Sequence, residues 1–345
     1  MKPFDAALAR SRTYALLAQL YRAGLTPALW PAVRAVPVLA EALDQPFDPE
    51  GSAADHYDLF HLNVFPYASL FLDPAGHLGG PVTDDARRLF RQAGYTADPA
   101  GEDADHISHA LDLLAFLSGA EADALEDERP DEADRMRDLQ RHALDAYLLW
   151  WLPPLTQAVQ QQQHPFYTLL ADLTLDLVID HRDALGAATD DAFQAPRLPD
   201  PPPLLDDPST GLKDIAAYLA SPPCSGLYLS RTAISRLARH AEVPRGFGTR
   251  VQMLTNLLRA AVTFDQLDPL LCALADVEAT WRTRYAALTY PNLPILNAVT
   301  QTWLTRLGTT RQILARLRSG AMDASAEEDA VSEREERVPD TESRT

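Results

Sequence analysis

The chain has 345 residues, with 49 acidic side chains against 30 basic ones and two cysteines. A hydrophobic content of 46% and a charged content of 23% are those of a soluble globular protein with one large domain or two modest ones, and they exclude collagen-like, disulfide-scaffold and wholly disordered chains. Cys224 and Cys272 are far apart in sequence, which argues against a zinc ribbon, a CxxC redox pair and a secreted disulfide framework. The charge is uneven: the net formal charge is −20 over residues 1–210, +7 over 211–320 and −6 over 321–345. An acidic first part favours a cationic partner and disfavours nucleic acid or an anionic membrane there, whereas the basic stretch keeps nucleic acid open for the second part.

In chain order the sequence reads as nearly all helix. Leu17, Leu20, Tyr21 and Leu25 recur at helical spacing, and Pro3 suits an early position in that first helix. Asp105 is placed as an N-cap before Ile107, Leu111, Leu114 and Phe116, with Gly119 as the stop. A helix ending near Trp150 and Trp151 is expected to be closed by Pro153 and Pro154, because proline lacks the backbone donor that a helix interior needs. Gln160 to Gln163 reads as a solvated helix end or loop. Ser230 can cap a helix carrying Ile234 and Leu237, and Gly246 and Gly248 form a turn before a helix carrying Val251, Leu254 and Leu258. Leu267, Leu270, Leu274, Val277, Trp281 and Leu288 make one buried stripe on a long helix, broken at Arg284. Strand signals are sparse.

Between Ala187 and Gly211 lie Pro196, Pro199, Pro201, Pro202, Pro203 and Pro208, a semi-rigid spacer where the charge changes sign. The expected organisation is all-α: a helical bundle over 1–186, a Pro-rich linker over 187–210, a basic helical domain over 211–320, and a disordered acidic tail over 321–345. The most apolar stretch, 146–155, is too short to span a bilayer, and Asp5, Arg10 and Arg12 interrupt any signal-peptide core. The expected location is cytoplasmic. The chain is expected to carry no leader of its own, since Arg87-Arg88 falls inside a predicted helix.

Phosphate-loop, HExxH and GxSxG signatures are absent. Asp105, His106 and His109 have spacing acceptable for metal ligands, but no motif supplies a clear further ligand. The preferred reading is a capping Asp with two partly exposed histidines, with no metal and no cofactor, and the Asp–His pair can also serve as a polar patch for a peptide. A second constellation is Asp55-His56-Tyr57-Asp58-Leu59-Phe60, followed by Phe65-Pro66-Tyr67-Ala68-Ser69-Leu70-Phe71. Its rings would normally be core. A proline flanked by aromatics also breaks the helix and leaves rings at its mouth, where they offer a peptide a large contact area at low entropy cost.

The ordered set Tyr57-x-Leu59-Phe60, Pro66-Tyr67-x-Ser69-x-Phe71, Asp105-His106-Ile107 with Leu111, and Leu114-x-Phe116-Leu117 resembles the TorD/DmsD/NarJ family. The later His142, Trp151-Leu152-Pro153 and His164-Pro165-Phe166-Tyr167 fit its closing helices, so the resemblance covers about half the chain, residues 7–182. It implies a TorD-like all-helical cytoplasmic chaperone, not an enzyme. Such a redox enzyme maturation protein holds the apo catalytic subunit of a molybdopterin oxidoreductase, often by its twin-arginine leader peptide, and assists cofactor insertion before export or assembly. Relatives of the NarJ type serve enzymes that stay in the cytoplasm, and the resemblance leaves room for a homodimer. It also implies that Asp105 and His106 act in leader binding and that Tyr57, Phe60, Pro66, Tyr67, Ser69 and Phe71 shape the same groove. The chain departs from the family where Ala68 replaces a frequent Glu and Phe71 a frequent Tyr, which bears on the leader sequence it would read.

A twin-arginine leader joins an Arg pair to an apolar stretch, so its partner should set acidic groups beside an aromatic groove. The −20 first part and the aromatic–proline segment suit that. The alternative is a DNA-binding regulator using the helix-turn-helix-like region 230–259, with Arg231, Arg236, Arg239, Arg245 and Arg250 supplying charge. The plainer reading of that region is a helical bundle.

Overall fold

The structure, a computed structural model, describes residues 2–43, 46–73, 76, 78–97, 101–186, 198–204, 206–288, 290 and 293–336, with side chains described as far as residue 320. It is all-α. Among the described residues the one β-type pairing is an isolated antiparallel bridge between Tyr67 and His106. In order, the helices are α1 (Pro3–Ala23), α2 (Trp30–Arg34), α3 (Pro37–Ala40), α4 (Pro49–Tyr57), a π-helical turn (Asp58–Asn63), α5 (Ala68–Leu72), α6 (Pro81–Gln92), α7 (Ile107–Glu126) and α8 (Pro130–Ala143). A second π-helical turn (Leu144–Leu148) leads into α9 (Leu149–Gln160), followed by α10 (Pro165–Ala184), α11 (Leu212–Ala220), α12 (Pro222–Ser225), α13 (Arg231–His240), α14 (Arg250–Thr263), α15 (Leu267–Ala287) and α16 (Pro294–Glu336). None of the described helices is long and apolar enough to cross a membrane.

Pro3 opens α1, and Leu17, Leu20 and Tyr21 are buried on one face of it as their spacing predicts. That face lies against α7, and here an expectation fails: Gly119 does not end α7, which runs seven residues further to Glu126. The glycine permits close approach instead. A Cβ there would meet Ser11 Oγ at 3.2 Å, and the same Ser11 hydroxyl donates to the Ala115 carbonyl at 2.8 Å. Pro153 and Pro154 do not close a helix either, because α9 continues through both to Gln160. Pro154 cannot donate to the carbonyl of Trp150, four residues back, and that carbonyl accepts the indole N–H of Trp303 at 3.0 Å. A donor from the far end of the chain thus fills the gap that the proline leaves.

Trp303 belongs to a larger pattern. The main core gathers α1, α7, α9 and α10 and also takes in Leu227, Tyr228, Trp281, Tyr285, Leu296 and Trp303 from beyond the linker. A second core is built from residues 204–314 alone, around Leu219, Leu254, Leu258, Leu270 and Leu274. The described part of the linker joins the two, with Leu198 packed against the main core and Leu204 in the second one. Residues 187–197 of the linker, Pro196 included, lie outside the described residues. Gln160 to Gln163 is more than a solvated end. Gln160 Oε1 accepts from Arg284 at 3.1 Å, the Gln161 carbonyl from Arg236 at 2.9 Å, and Gln162 Nε2 donates to Ser230 Oγ at 3.1 Å.

The backbone of α16 is helical to Glu336, and residues 337–345 of the expected acidic tail lie outside the described residues.

Because Trp303 is buried in the main core, Trp303→Ala should destabilise the fold by about 3–5 kcal/mol. Urea unfolding followed by far-ultraviolet circular dichroism should show one transition moved to lower urea. A transition unmoved from wild type would contradict this placement.

Candidate functional site

The aromatic–proline segment and the Asp-His loop meet across two backbone hydrogen bonds: Ala68 N–H to the Asp105 carbonyl and Ile107 N–H to the Pro66 carbonyl, each 2.9 Å. Asp105 does not cap α7 as its position predicts. Its side chain is fully buried and turns back, accepting from the Ser69 N–H at 3.0 Å and the Thr83 hydroxyl at 2.7 Å. It therefore satisfies a free donor at the start of α5 and ties α6 to the same point. His106 caps α7, its Nδ1 accepting from the Ser108 N–H at 3.2 Å. A backbone N–H can only donate, so Nδ1 is the bare nitrogen and Nε2 carries the proton.

In front of this junction lies a cavity of about 160 Å³ lined by Tyr21, Arg22, Phe60, His61, Phe65, Pro66, Tyr67, Leu78, Glu102 and His106. Four of the sequence-predicted residues, Phe60, Pro66, Tyr67 and His106, share this wall. Tyr57 is 57% exposed and stacks on the cavity-lining His61 at 5.1 Å. The remaining three, Ser69, Phe71 and Asp105, are fully buried behind the cavity. Phe71 stacks on Tyr228 at 5.3 Å.

In the π-helical turn Asp58–Asn63, His61 is exposed beside Tyr57, while Phe60 is buried, edge-on to Tyr167 at 5.3 Å and close to Tyr21 at 5.5 Å. Tyr67 sets its ring edge-on to His106 at 4.9 Å and donates its hydroxyl to Glu102. Burial and then the Glu102 carboxylate push the Tyr67 phenol up, so it keeps its proton. Burial, followed by the neighbouring His109 and Arg22, pushes the His106 imidazole down to about 3. At neutral pH the His106 imidazole is therefore uncharged, and it shares the cavity with Glu102 and with an Arg22 already paired with Asp112.

Asp105, His106 and His109 turn to separate partners rather than a common point. His109 Nε2 lies 3.0 Å from the Glu102 carbonyl, and among the described residues no group of three potential ligands is placed to hold a metal.

Sequence reasoning missed Arg22, His61 and Glu102. For Glu102 a signal existed, a carboxylate in the same short loop as Asp105 and His106. It also missed Tyr228, whose hydroxyl donates to the Asn63 carbonyl at 3.0 Å and accepts from the Phe65 N–H at 3.3 Å. The helix-turn-helix-like region forms α13 and α14; Ser230 caps α13 as expected, and Thr249 caps α14. Two of its arginines are engaged inside the fold: Arg236 donates to the Gln161 carbonyl of the first part of the chain, and Arg250 lies 4.4 Å over the Tyr228 ring within the second part. The start of α13 is closed by Asn63, whose Oδ1 accepts from Thr232 N–H at 3.1 Å and Thr232 Oγ1 at 2.7 Å. These contacts give the DNA-binding alternative no support.

A family model for the nitrate reductase delta subunit matches residues 26–157. Proteins of that family are chaperones of molybdoenzyme maturation. The match takes in α2 to α8, most of α9 and every cavity residue except Tyr21 and Arg22, and it stops short of the linker. No curated protein matches the chain.

Buried histidines make stability depend on pH with a definite sign. His106 and His181 are both pushed down to about 3, chiefly by burial, from an ordinary value of 6.5. The unfolded chain then binds more protons between those values, so stability is full above pH 6.5 and is lost as pH falls toward 3. Each histidine contributes at most about 1.4 kcal/mol per pH unit in that window. His106→Asn should reduce the slope of unfolding free energy against pH between about 5 and 6.5. An unchanged slope would contradict the neutral, buried imidazole.

Proposed function

We propose that this chain is a non-enzymatic, cofactor-free chaperone that holds an extended segment of an apo molybdoenzyme catalytic subunit before its cofactor is inserted. The supporting observation is the convergence of Phe60, Pro66, Tyr67 and His106, taken from two separate motifs, on one cavity inside the matched region. The segment bound is a leader peptide or N-terminal stretch carrying a cation and apolar side chains, and the binding takes place in the cytoplasm.

Each wall has a task in this reading. Glu102 attracts the cation and accepts its hydrogen bonds. The neutral His106 does not repel that cation, and its Nε2 proton can be donated to a peptide carbonyl. Phe60, Phe65 and Leu78 cover apolar side chains, and the Tyr57–His61 stack offers a ring face to a guanidinium. Asp105 plays a supporting part: with both carboxylate oxygens occupied inside the fold, it holds the wall on which His106 and Tyr67 stand. The acidic first part adds a field that steers a cationic segment and weakens with salt.

A fluorescein-labelled synthetic peptide with an Arg-Arg pair followed by a run of leucines tests this by anisotropy. Glu102→Gln keeps an acceptor for the Tyr67 hydroxyl but removes the charge, and should weaken binding about tenfold, as loss of one charge-assisted hydrogen bond requires. Raising salt from about 0.05 M to about 0.5 M should weaken the wild type and narrow that gap. No binding by the wild type at low salt, or equal binding by the variant, would defeat the reading.

A further inference from the structure

The cavity wall is made by the first part of the chain, yet the backbone behind it is held from the second part. Tyr228, fully buried after α12, is clasped between the Phe71 ring at 5.3 Å and the Arg250 guanidinium at 4.4 Å. Its hydroxyl bridges two backbone groups of the first part, donating to the Asn63 carbonyl and accepting from the Phe65 N–H. The Asn63 carboxamide works in both directions. Its Nδ2 donates back to the Asp58 carbonyl at 3.0 Å, and its Oδ1 takes both donors of Thr232 at the start of α13. The π-helical turn Asp58–Asn63 is therefore fastened at its end to α13, and Phe65, a cavity-lining residue, is fastened through its own amide. A π-helical turn leaves backbone groups without regular helical partners, so its shape depends on whatever else satisfies them.

We infer that the second part of the chain serves as the back support of the cavity, with Tyr228 and Thr232 as positioning residues that set the turn carrying His61 and the strand-like entry at Phe65. They touch nothing in the cavity; they fix the geometry of residues that do. The claim about shape stands independently of the proposed function, and the claim about peptide binding rests on it.

Amide hydrogen exchange of the full chain, with Tyr228→Phe and Thr232→Val beside the wild type, separates these. Tyr228→Phe keeps the stacked ring and leaves the Phe65 N–H and Asn63 carbonyl without their partner. Exchange in peptides spanning 58–66 should rise about fivefold to tenfold, while peptides of α1 and α7 remain at wild-type rates. Thr232→Val, which removes one donor to Asn63, should produce a smaller rise in the same peptides. In parallel, the arginine–leucine peptide should bind Tyr228→Phe several-fold more weakly. Unchanged exchange over 58–66, or a rise shared equally by α1 and α7, would overturn the positioning role. A local rise with undiminished peptide affinity would overturn its bearing on binding. A wild type that binds no peptide, with the local rise intact, would count against the proposed function and leave the support of the turn standing.

Discussion

The buried carboxylate of Asp105 is the constraint on which the site depends. A carboxyl group with no solvent exposure is tolerable only when its oxygens are hydrogen-bonded, and Ser69 N–H and Thr83 Oγ1 each supply a bond. Meeting that requirement brings the start of α5, the face of α6 and the loop before α7 to one point. The short bridge between Tyr67 and His106 follows from it, as do the edge-on rings and the reach of Tyr67 to Glu102. Asp105, singled out from the sequence as a binding acid, turns its side chain into the fold to clasp Ser69 and Thr83, while Glu102, three residues before it, lines the cavity.

A second constraint ties the two ends of the chain together. Pro154 deprives α9 of one internal hydrogen bond, Trp303 returns it, and the same region of the main core collects Tyr228, Trp281 and Tyr285. The charge boundary at the linker is thus a boundary of surface character, while the apolar interior passes across it. An acidic face can be kept for a cationic segment and a basic face elsewhere without dividing the core.

What could be read in the sequence was what depends on near neighbours. The all-α class, the opening of α1 at Pro3, and the cap at Ser230 follow from periodicity and end chemistry within a few residues. The motif residues Phe60, Pro66, Tyr67 and His106 were likewise singled out together and do share a wall. Failures came where a distant partner decides. Gly119 reads as a stop because its role is to admit Ser11, more than a hundred residues away. Pro153 and Pro154 read as terminators because no local rule supplies Trp303. Asp105 reads as the cap of the helix it precedes, because its true partner, Ser69, begins another helix. The support given by Tyr228 to Asn63 and Phe65 joins residues that no spacing relates.

The most direct test of the whole account is recovery of the client. The tagged full chain would be isolated from its native host beside a surface variant, Tyr57→Ala with Glu102→Gln, and the bound proteins identified by mass spectrometry. Tyr57 is exposed and Glu102 half-buried, so the variant leaves the Asp105 clasp intact. The account predicts one molybdoenzyme catalytic subunit with the wild type and its loss from the variant. The same subunit recovered equally with both, or no molybdoenzyme subunit with either, would contradict it.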